Sequence, residues 1–168
     1  MRSRAGRQKG VNNMVYIGID PGKKGGVAVI EDLTDERIVE VHPYSDDKLK
    51  AVCKEISSRG TDNVFCVVEK VGAMPGQGVT STFNFGKSFG YILGVLEANG
   101  IPYQLISPQR WKKHFSLTND KNKSIQTAKR LFPSVSLLPT DRCRVESDGM
   151  AEALLMAEFA RRMSGGAI

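Results

Sequence analysis

The sequence predicts an α/β domain whose mixed five-stranded sheet begins with three antiparallel strands and is flanked by helices. Two observations support this fold class. Three apolar segments follow one another with only short turns between them, and strands joined in this way are antiparallel. Two later apolar segments each follow a segment of helical spacing, as in the crossover units of α/β sheets. At 168 residues, the chain is long enough for one domain with a substantial core.

The first three predicted strands form consecutive hairpins. A Pro-Gly pair makes the first turn, and the polar segment DLTDE makes the second. The first strand ends on Asp20, an acid that either stabilises the turn or holds a ligand. The predicted strands cover residues 15–20, 25–31 and 36–43.

The middle of the chain alternates between helix and strand. Apolar residues recur at helical spacing after Ser45, which is suited to cap that helix. The continuous apolar run NVFCVVE is typical of a central strand buried on both faces, and it ends on Glu69. Gly100 is placed to close the long helix that follows. The predicted elements are a helix at 46–58, a strand at 63–69 and a helix at 80–99.

The last third of the chain is mostly helical. A short strand precedes Ser107 and Pro108, a residue pair that is typical of a helix start. Two further helices are separated by a segment that contains proline and serine. The predicted elements are a strand at 103–106, a helix from 107 onward, and helices at 120–132 and 148–163.

The net charge of +6 is concentrated at the N-terminus. Residues 1–13 carry four basic residues and no acid, so subtracting them leaves +2 for the rest of the chain. We expect this arm to be disordered. It is either a nucleic-acid-binding tail, or a cloning remnant or upstream start ahead of Met14. We expect residues 164–168 to form a flexible tail.

The composition excludes several classes of protein. The chain has no run of 18 apolar residues and no secretory signal, so we expect no membrane partner. Its three cysteines lack CxxC spacing, which favours reduced thiols and a cytoplasmic location.

Four acids have positions that favour a shared site. If the strands that end on Asp20 and Glu69 are parallel neighbours, both carboxylates emerge at the sheet edge where α/β proteins bind ligands. Asp148 and Glu152 are four residues apart and share one face of the last helix. Taken singly, these acids have ordinary explanations: Asp20 as a turn residue, Glu69 as the partner of a lysine such as Lys70 or Lys112, and Asp148 as a helix-start acid.

Oxygen ligands without cysteine or histidine suit Mg²⁺ or Mn²⁺ and not Zn²⁺. Two such ions, about 3.5–4 Å apart, can hold the attacking water and the leaving oxygen of a phosphodiester. Clustered carboxylates also repel one another, so we expect raised pKa values in the absence of metal.

Four segments of the chain are distinctive: IGIDPG (17–22), VVEKV (67–71), FGKSFGYILGVLEANGIPYQLISPQRWKK (85–113) and DGMAEALLMA (148–157). Together they resemble the RuvC-like Holliday junction resolvases of the RNase H-like fold, in particular their phage and organellar branch. The resemblance covers most of residues 14–163, which would form one RNase H-like nuclease domain. It implies a homodimeric Mg²⁺-dependent endodeoxyribonuclease that cuts branched DNA at four-way junctions, in a bacterium, a phage-infected host or an organelle. It also implies catalytic and metal-binding roles for Asp20, Glu69, Asp148 and Glu152.

Two features depart from the bacterial members of that family. Their last two carboxylates are both Asp and three residues apart, whereas here the spacing is four and the second is Glu. Glu146 is therefore an alternative to Asp148 as the fourth ligand. Bacterial members also carry a junction-opening aromatic just past the second acid, where this chain has Gly72, so a wedge would come from Met74 or elsewhere.

Residues 107–130 hold seven basic residues and one acid. This stretch is either a phosphate-binding surface or an ordinary solvated face, and we favour DNA binding because it overlaps the resemblance. We expect Trp111 to be a packing residue and not a base-stacking platform. His114 is either a proton-transfer group or an ordinary surface histidine. The candidate DNA-binding residues are Arg110, Lys112, Lys113, Lys121 and Lys123.

Gly86, Gly90 and Gly94 form a stripe along the 80–99 helix. Each costs about 1 kcal/mol relative to alanine, so a close contact must offset the loss. The helix either packs tightly on the sheet or approaches a second copy of the chain, and a two-fold dimer suits a two-fold junction. The glycine-rich loop 72–78 would lie between the metal site and the substrate.

The sequence as a whole predicts a metal-dependent, structure-selective DNA endonuclease that resolves Holliday junctions by paired phosphodiester hydrolysis. One alternative is another RNase H-like nuclease that acts on RNA–DNA hybrids or forks. A second is a non-catalytic junction-binding protein. The motif GIDPG also resembles the phosphate loop of actin-like sugar kinases, but those need two lobes and far more chain.

Overall fold

The structure is a computed structural model that describes residues 13–72, 76, 78–118 and 120–165. The expected arm up to residue 12, the tail from residue 166 and the wedge candidate Met74 lie outside the described residues. Its elements in chain order are β1 (Met14–Asp20), β2 (Gly26–Asp32), β3 (Arg37–Pro43), α1 (Asp46–Ser58), β4 (Val64–Glu69), α2 (Val79–Ala98), β5 (Tyr103–Ile106), α3 (Pro108–His114), α4 (Lys121–Leu131) and α5 (Asp148–Ser164).

The five strands form one mixed sheet in the order β3-β2-β1-β4-β5. β1 pairs with β2 and β2 with β3 in antiparallel register, while β4 is parallel to both β1 and β5. The predicted fold class is therefore confirmed. Because β1 and β4 are parallel neighbours, they end at the same edge of the sheet.

Local signals set the element boundaries much as predicted. Ser45 caps α1, since its hydroxyl accepts a 3.1 Å hydrogen bond from the backbone N–H of Lys48. Gly100 follows the end of α2 with a φ of +64°, a conformation that favours glycine. Ser107 precedes α3 as expected, but its side chain makes no capping hydrogen bond.

Two helical layers cover the sheet. On one face, α1 and the end of α2 pack over β1, β2 and β4, with Leu49, Ile92 and Leu96 buried among them. On the other face, α5 packs against β1, β2 and β4, and α4 packs on α5. Nearly every residue of α5 from Gly149 to Ala160 is buried, so this helix is the centre of the larger core. Within the described residues, no helix has the length and apolar character needed to cross a bilayer.

The glycine stripe of α2 does not pack on the sheet, so the first of the two explanations for it is wrong. All three glycines are exposed, and a Cβ atom added to any of them would meet nothing within 4 Å. The buried residues of α2 are Ile92 and Leu96, which face α1 and the sheet from the other side of the helix.

Candidate active site at the carboxyl edge of the sheet

Asp20 and Glu69 lie side by side at the ends of adjacent parallel strands. The β1–β4 register pairs Ile19 with Val68, so the next residue of each strand is the acid. Burial raises the pKa of Asp20 well above its ordinary value, and the charges of Glu69, Glu152 and Asp148 raise it further. The structure thus brings the four predicted carboxylates together, from β1, β4 and α5.

Glycine contacts fix the start of α5 against the turn between β1 and β2. A Cβ atom added to Gly149 would lie 1.8 Å from the carbonyl oxygen of Lys24. A Cβ atom on Gly26, which pairs with Asp20, would lie 2.7 Å from the carbonyl oxygen of Gly149. Side chains are excluded at both positions, and this close approach holds Asp148 beside the end of β1.

The two carboxylates of α5 that belong to this cluster, Asp148 and Glu152, are ion-paired with lysines. Oε1 of Glu152 lies 3.1 Å from Nζ of Lys112 and accepts a 3.3 Å hydrogen bond from the buried hydroxyl of Ser124. Oδ2 of Asp148 lies 2.5 Å from Nζ of Lys121. Partial burial raises the pKa of Asp148, but the hydrogen bond and charge of Lys121 outweigh it, and the pKa lies below its usual range.

Glu69 accepts a hydrogen bond from the only tryptophan of the chain. Nε1–H of Trp111 donates to Oε1 of Glu69 over 3.0 Å. Burial raises the pKa of Glu69, the Trp111 hydrogen bond opposes that rise, and the charge of Glu152 adds to it. Trp111 is fully buried, as its predicted packing role requires. Its contact with Glu69 was missed, although a buried indole N–H usually finds an acceptor.

Glu146, the alternative fourth acid, pairs with Lys129 at 2.7 Å. The like charges that raise the pKa of Asp20 come from Glu69, Glu152 and Asp148. The electrostatics of the site therefore favour Asp148 over Glu146 as its fourth member.

The candidate DNA-binding residues divide into two groups. Lys112 and Lys121 are ion-paired with Glu152 and Asp148, so both lie at the acidic cluster. Arg110, Lys113 and Lys123 are exposed, and no carboxylate of the described residues lies within ion-pair distance of them.

His114 packs edge-to-face on two phenylalanines. Its ring centre lies 5.0 Å from that of Phe115 and 5.3 Å from that of Phe159.

The donor chemistry of the acidic cluster fits Mg²⁺, since all four groups are carboxylates. Within the part of the chain that the structure describes, no three Asp, Glu, His or Cys side chains are arranged to hold a metal ion as they stand. Lys121 and Lys112 each contact one oxygen of Asp148 and of Glu152, and a cation bound to those oxygens would have to displace them.

Comparison with known proteins identifies the fold. No family model matches the chain, and no curated protein matches it. Thermus thermophilus RuvC in complex with a Holliday junction substrate matches with a TM-score of 0.57 and 18% identity, over 89% of this chain and 96% of that one. A second structure of T. thermophilus RuvC matches with a TM-score of 0.55 and 20% identity, over 89% and 97% of the two chains. The chain therefore has the RNase H-like fold of RuvC.

Proposed function

We propose that this protein is a metal-dependent, structure-selective DNA endonuclease that resolves four-way junctions by paired phosphodiester hydrolysis. The observation that carries the proposal is the meeting of four carboxylates around Asp20 at the carboxyl edge of the sheet. One of the similar structures holds RuvC on a Holliday junction, and the likeness extends over 89% of this chain. The segments IGIDPG, VVEKV and DGMAEALLMA support the phage and organellar branch of the RuvC-like resolvases.

Asp20, Glu69, Asp148 and Glu152 would hold Mg²⁺, with Mn²⁺ as a substitute, as two ions. Bound Mg²⁺ would lower the pKa of a coordinated water and neutralise charge on the phosphate. The fold supplies rigid placement, since strand ends and a glycine-packed helix start fix the carboxylates. Burial disfavours the ionised forms of Asp20 and Glu69, so both acids gain stability from a cation partner.

The basic residues would serve DNA in two ways. Arg110, Lys113 and Lys123 are exposed and would contact backbone phosphates. Lys112 and Lys121 now neutralise Glu152 and Asp148. A cation bound to those acids would release both lysines for phosphate contacts.

A homodimer would form through the exposed face of α2. At 100° per residue, Val79 and Phe83 lie on the same face as the glycine stripe. Their exposed fractions are 86% and 71%, which is unusual for large apolar side chains. An apolar face with a groove of glycines suits close approach by a second copy, and two copies would place two acidic clusters on one junction.

A non-catalytic junction-binding protein is the second candidate. The ion pairs of Lys112 and Lys121 favour it, because they satisfy two of the four carboxylates without metal. Asp20 and Glu69 count against it, because burial raises the pKa of each carboxyl and neither acid is ion-paired within the described residues.

The test is cleavage of a synthetic four-way junction, a fork and an RNA–DNA hybrid, each with and without Mg²⁺. We expect paired cuts in the junction that need the metal. Asp20→Asn and Glu69→Gln should lose cleavage and retain junction binding, because the basic surface is unchanged. Glu146→Gln is the matched control and should cut normally. Preference for the hybrid or fork would favour the other nuclease class, and binding without any cleavage would favour the non-catalytic protein.

A further inference from the structure

Trp111 connects the hydrophobic core to the acidic cluster. It lies on α3, its side chain is fully buried, and its indole packs within the core that α5 organises. Its N–H donates to Oε1 of Glu69 over 3.0 Å, although 42 positions separate the two residues in the chain. The polar edge of the ring therefore reaches the site while the rest of the ring is held by packing.

The residue after Trp111 reaches a second carboxylate. Nζ of Lys112 lies 3.1 Å from Oε1 of Glu152 and 5.2 Å from the centre of the Trp111 ring. Two adjacent side chains of α3 thus contact acids from two different elements, β4 and α5. Packing alone does not require tryptophan here, because phenylalanine would fill much of the same space with no polar atom to satisfy.

We propose that Trp111 is a positioning residue of the acidic site. By donating to Oε1 of Glu69, the indole fixes the rotation of the carboxylate and leaves Oε2 for the cation. The inference rests on the proposed function, in which Glu69 binds Mg²⁺. Partners that orient a metal ligand from outside its coordination sphere typically contribute 10–100-fold in metal affinity.

The experiment uses the fact that the chain has a single tryptophan. Replacing tryptophan with 3-benzothienylalanine during expression exchanges the N–H of residue 111 for sulfur and leaves the shape of the ring almost unchanged. We expect calorimetry to show Mg²⁺ binding about tenfold weaker, with the circular dichroism spectrum and melting temperature preserved. Trp111→Phe, which also removes the donor, should show the same loss of affinity with a lower melting temperature.

Phe132→Leu is the control for packing, because Phe132 is buried in the same core cluster. It should lower the melting temperature and leave Mg²⁺ affinity unchanged. A spectroscopic readout comes from the native protein, in which Mg²⁺ should change the Trp111 emission with the midpoint found by calorimetry. Glu69→Gln should abolish that change.

Equal Mg²⁺ affinity in the native and benzothienyl proteins would overturn the positioning role and leave the proposed function intact. A native protein that binds Mg²⁺ but cuts no junction would overturn the proposed function, while the affinity comparison would still decide the role of Trp111. A native protein that binds no Mg²⁺ would overturn both.

Discussion

At Asp20, burial and the charges of Glu69, Glu152 and Asp148 act in the same direction, and all of them disfavour the ionised carboxylate. A free carboxyl of this type has a pKa of about 3.9. Because the folded value is higher, the folded state binds more protons than the unfolded chain between the two pKa values, and stability falls as pH rises through that interval. At neutral pH the ionised carboxylate therefore costs stability, and a bound cation would offset that cost.

Asp20→Asn should therefore stabilise the metal-free protein at pH 7. We expect a gain of about 1 kcal/mol, which is a rise of about 2–4 °C in melting temperature for a domain of this size. The gain should shrink as pH falls toward 4, because Asp20 is then protonated in the native protein as well. Thermal unfolding at pH 4 to 8 checks this. A variant less stable than the native protein at every pH would show that Asp20 mainly stabilises the turn.

The sequence predicted the roles of some site residues and not the contacts of others. Asp20 and Glu69 could be selected because each ends an apolar run, but that β1 and β4 are parallel neighbours was only a condition until the structure gave their pairing. The hydrogen bond from Trp111 to Glu69 could not be predicted, since it depends on where α3 docks. The same holds for Ser124 and Glu152, which are 28 positions apart.

At the scale of elements, the placement of α5 depends on three glycines that allow backbone-to-backbone contact. A Cβ atom added to Gly18 would lie 2.1 Å from the carbonyl oxygen of Ala153, and those at Gly26 and Gly149 would lie 2.7 and 1.8 Å from other backbone carbonyl oxygens. The helix start thus reaches the β1–β2 turn more closely than larger residues allow. The two acids of α5 are positioned by this contact and not by their own side-chain partners alone.

Gly149→Ala should displace the start of α5 from that turn. The added methyl group would lie 1.8 Å from the Lys24 carbonyl, which is backbone and cannot rotate away. We expect a loss of about 1–3 kcal/mol in urea unfolding, as for other overpacked sites, and a larger proportional loss of cleavage. Gly72→Ala is the control, because that glycine has open space around it, and it should change stability by less than about 0.5 kcal/mol. Normal cleavage by Gly149→Ala would show that this backbone contact is not needed to position Asp148 and Glu152.

The boundaries of helices could be predicted where the capping residues lie next to the helix in the sequence. The surfaces against which the helices pack could not be predicted in this way. α1 begins and ends at the predicted residues, since Ser45 and the apolar spacing both lie within the helix sequence. The glycine stripe of α2 could be recognised in the sequence, and in the structure it forms an exposed face without side chains. The sequence did not show which way the stripe faces, because that depends on the rotation of α2 about its axis. Ile92 and Leu96 set this rotation, since they are buried in the core on the opposite side of the helix.

At the scale of the whole molecule, the exposed basic residues of α3 and α4 lie on the α5 side of the sheet, while α1 covers the opposite face. Lys113→Ala combined with Lys123→Ala should weaken junction binding and lower the slope of log K against log salt by about 2, one for each lost phosphate contact. Lys48→Ala combined with Lys54→Ala removes the same charge from α1 and should leave the slope unchanged. Equal slopes for the two double variants would indicate that DNA binds elsewhere.

The final prediction concerns assembly and follows from the open space beside α2. A Cβ atom added at position 90 would meet no atom of the described residues within 4 Å, and replacing a helix glycine improves helix propensity by up to about 1 kcal/mol. Gly90→Leu should therefore fold normally and sediment as a monomer, because the side chain fills the groove that a second copy would occupy. We expect it to nick junctions without paired cuts, since one acidic cluster cuts one strand.

Asn84→Leu is the matched control for this variant, because it adds the same side chain to an exposed position of α2 about 120° from Gly90. It should remain dimeric and cut both strands. Sedimentation velocity with circular dichroism separates loss of assembly from loss of fold. If Gly90→Leu remained a dimer of normal stability with paired cuts, the glycine face would be solvent-exposed in the assembled protein. The two acidic clusters would then have to be brought together by another surface.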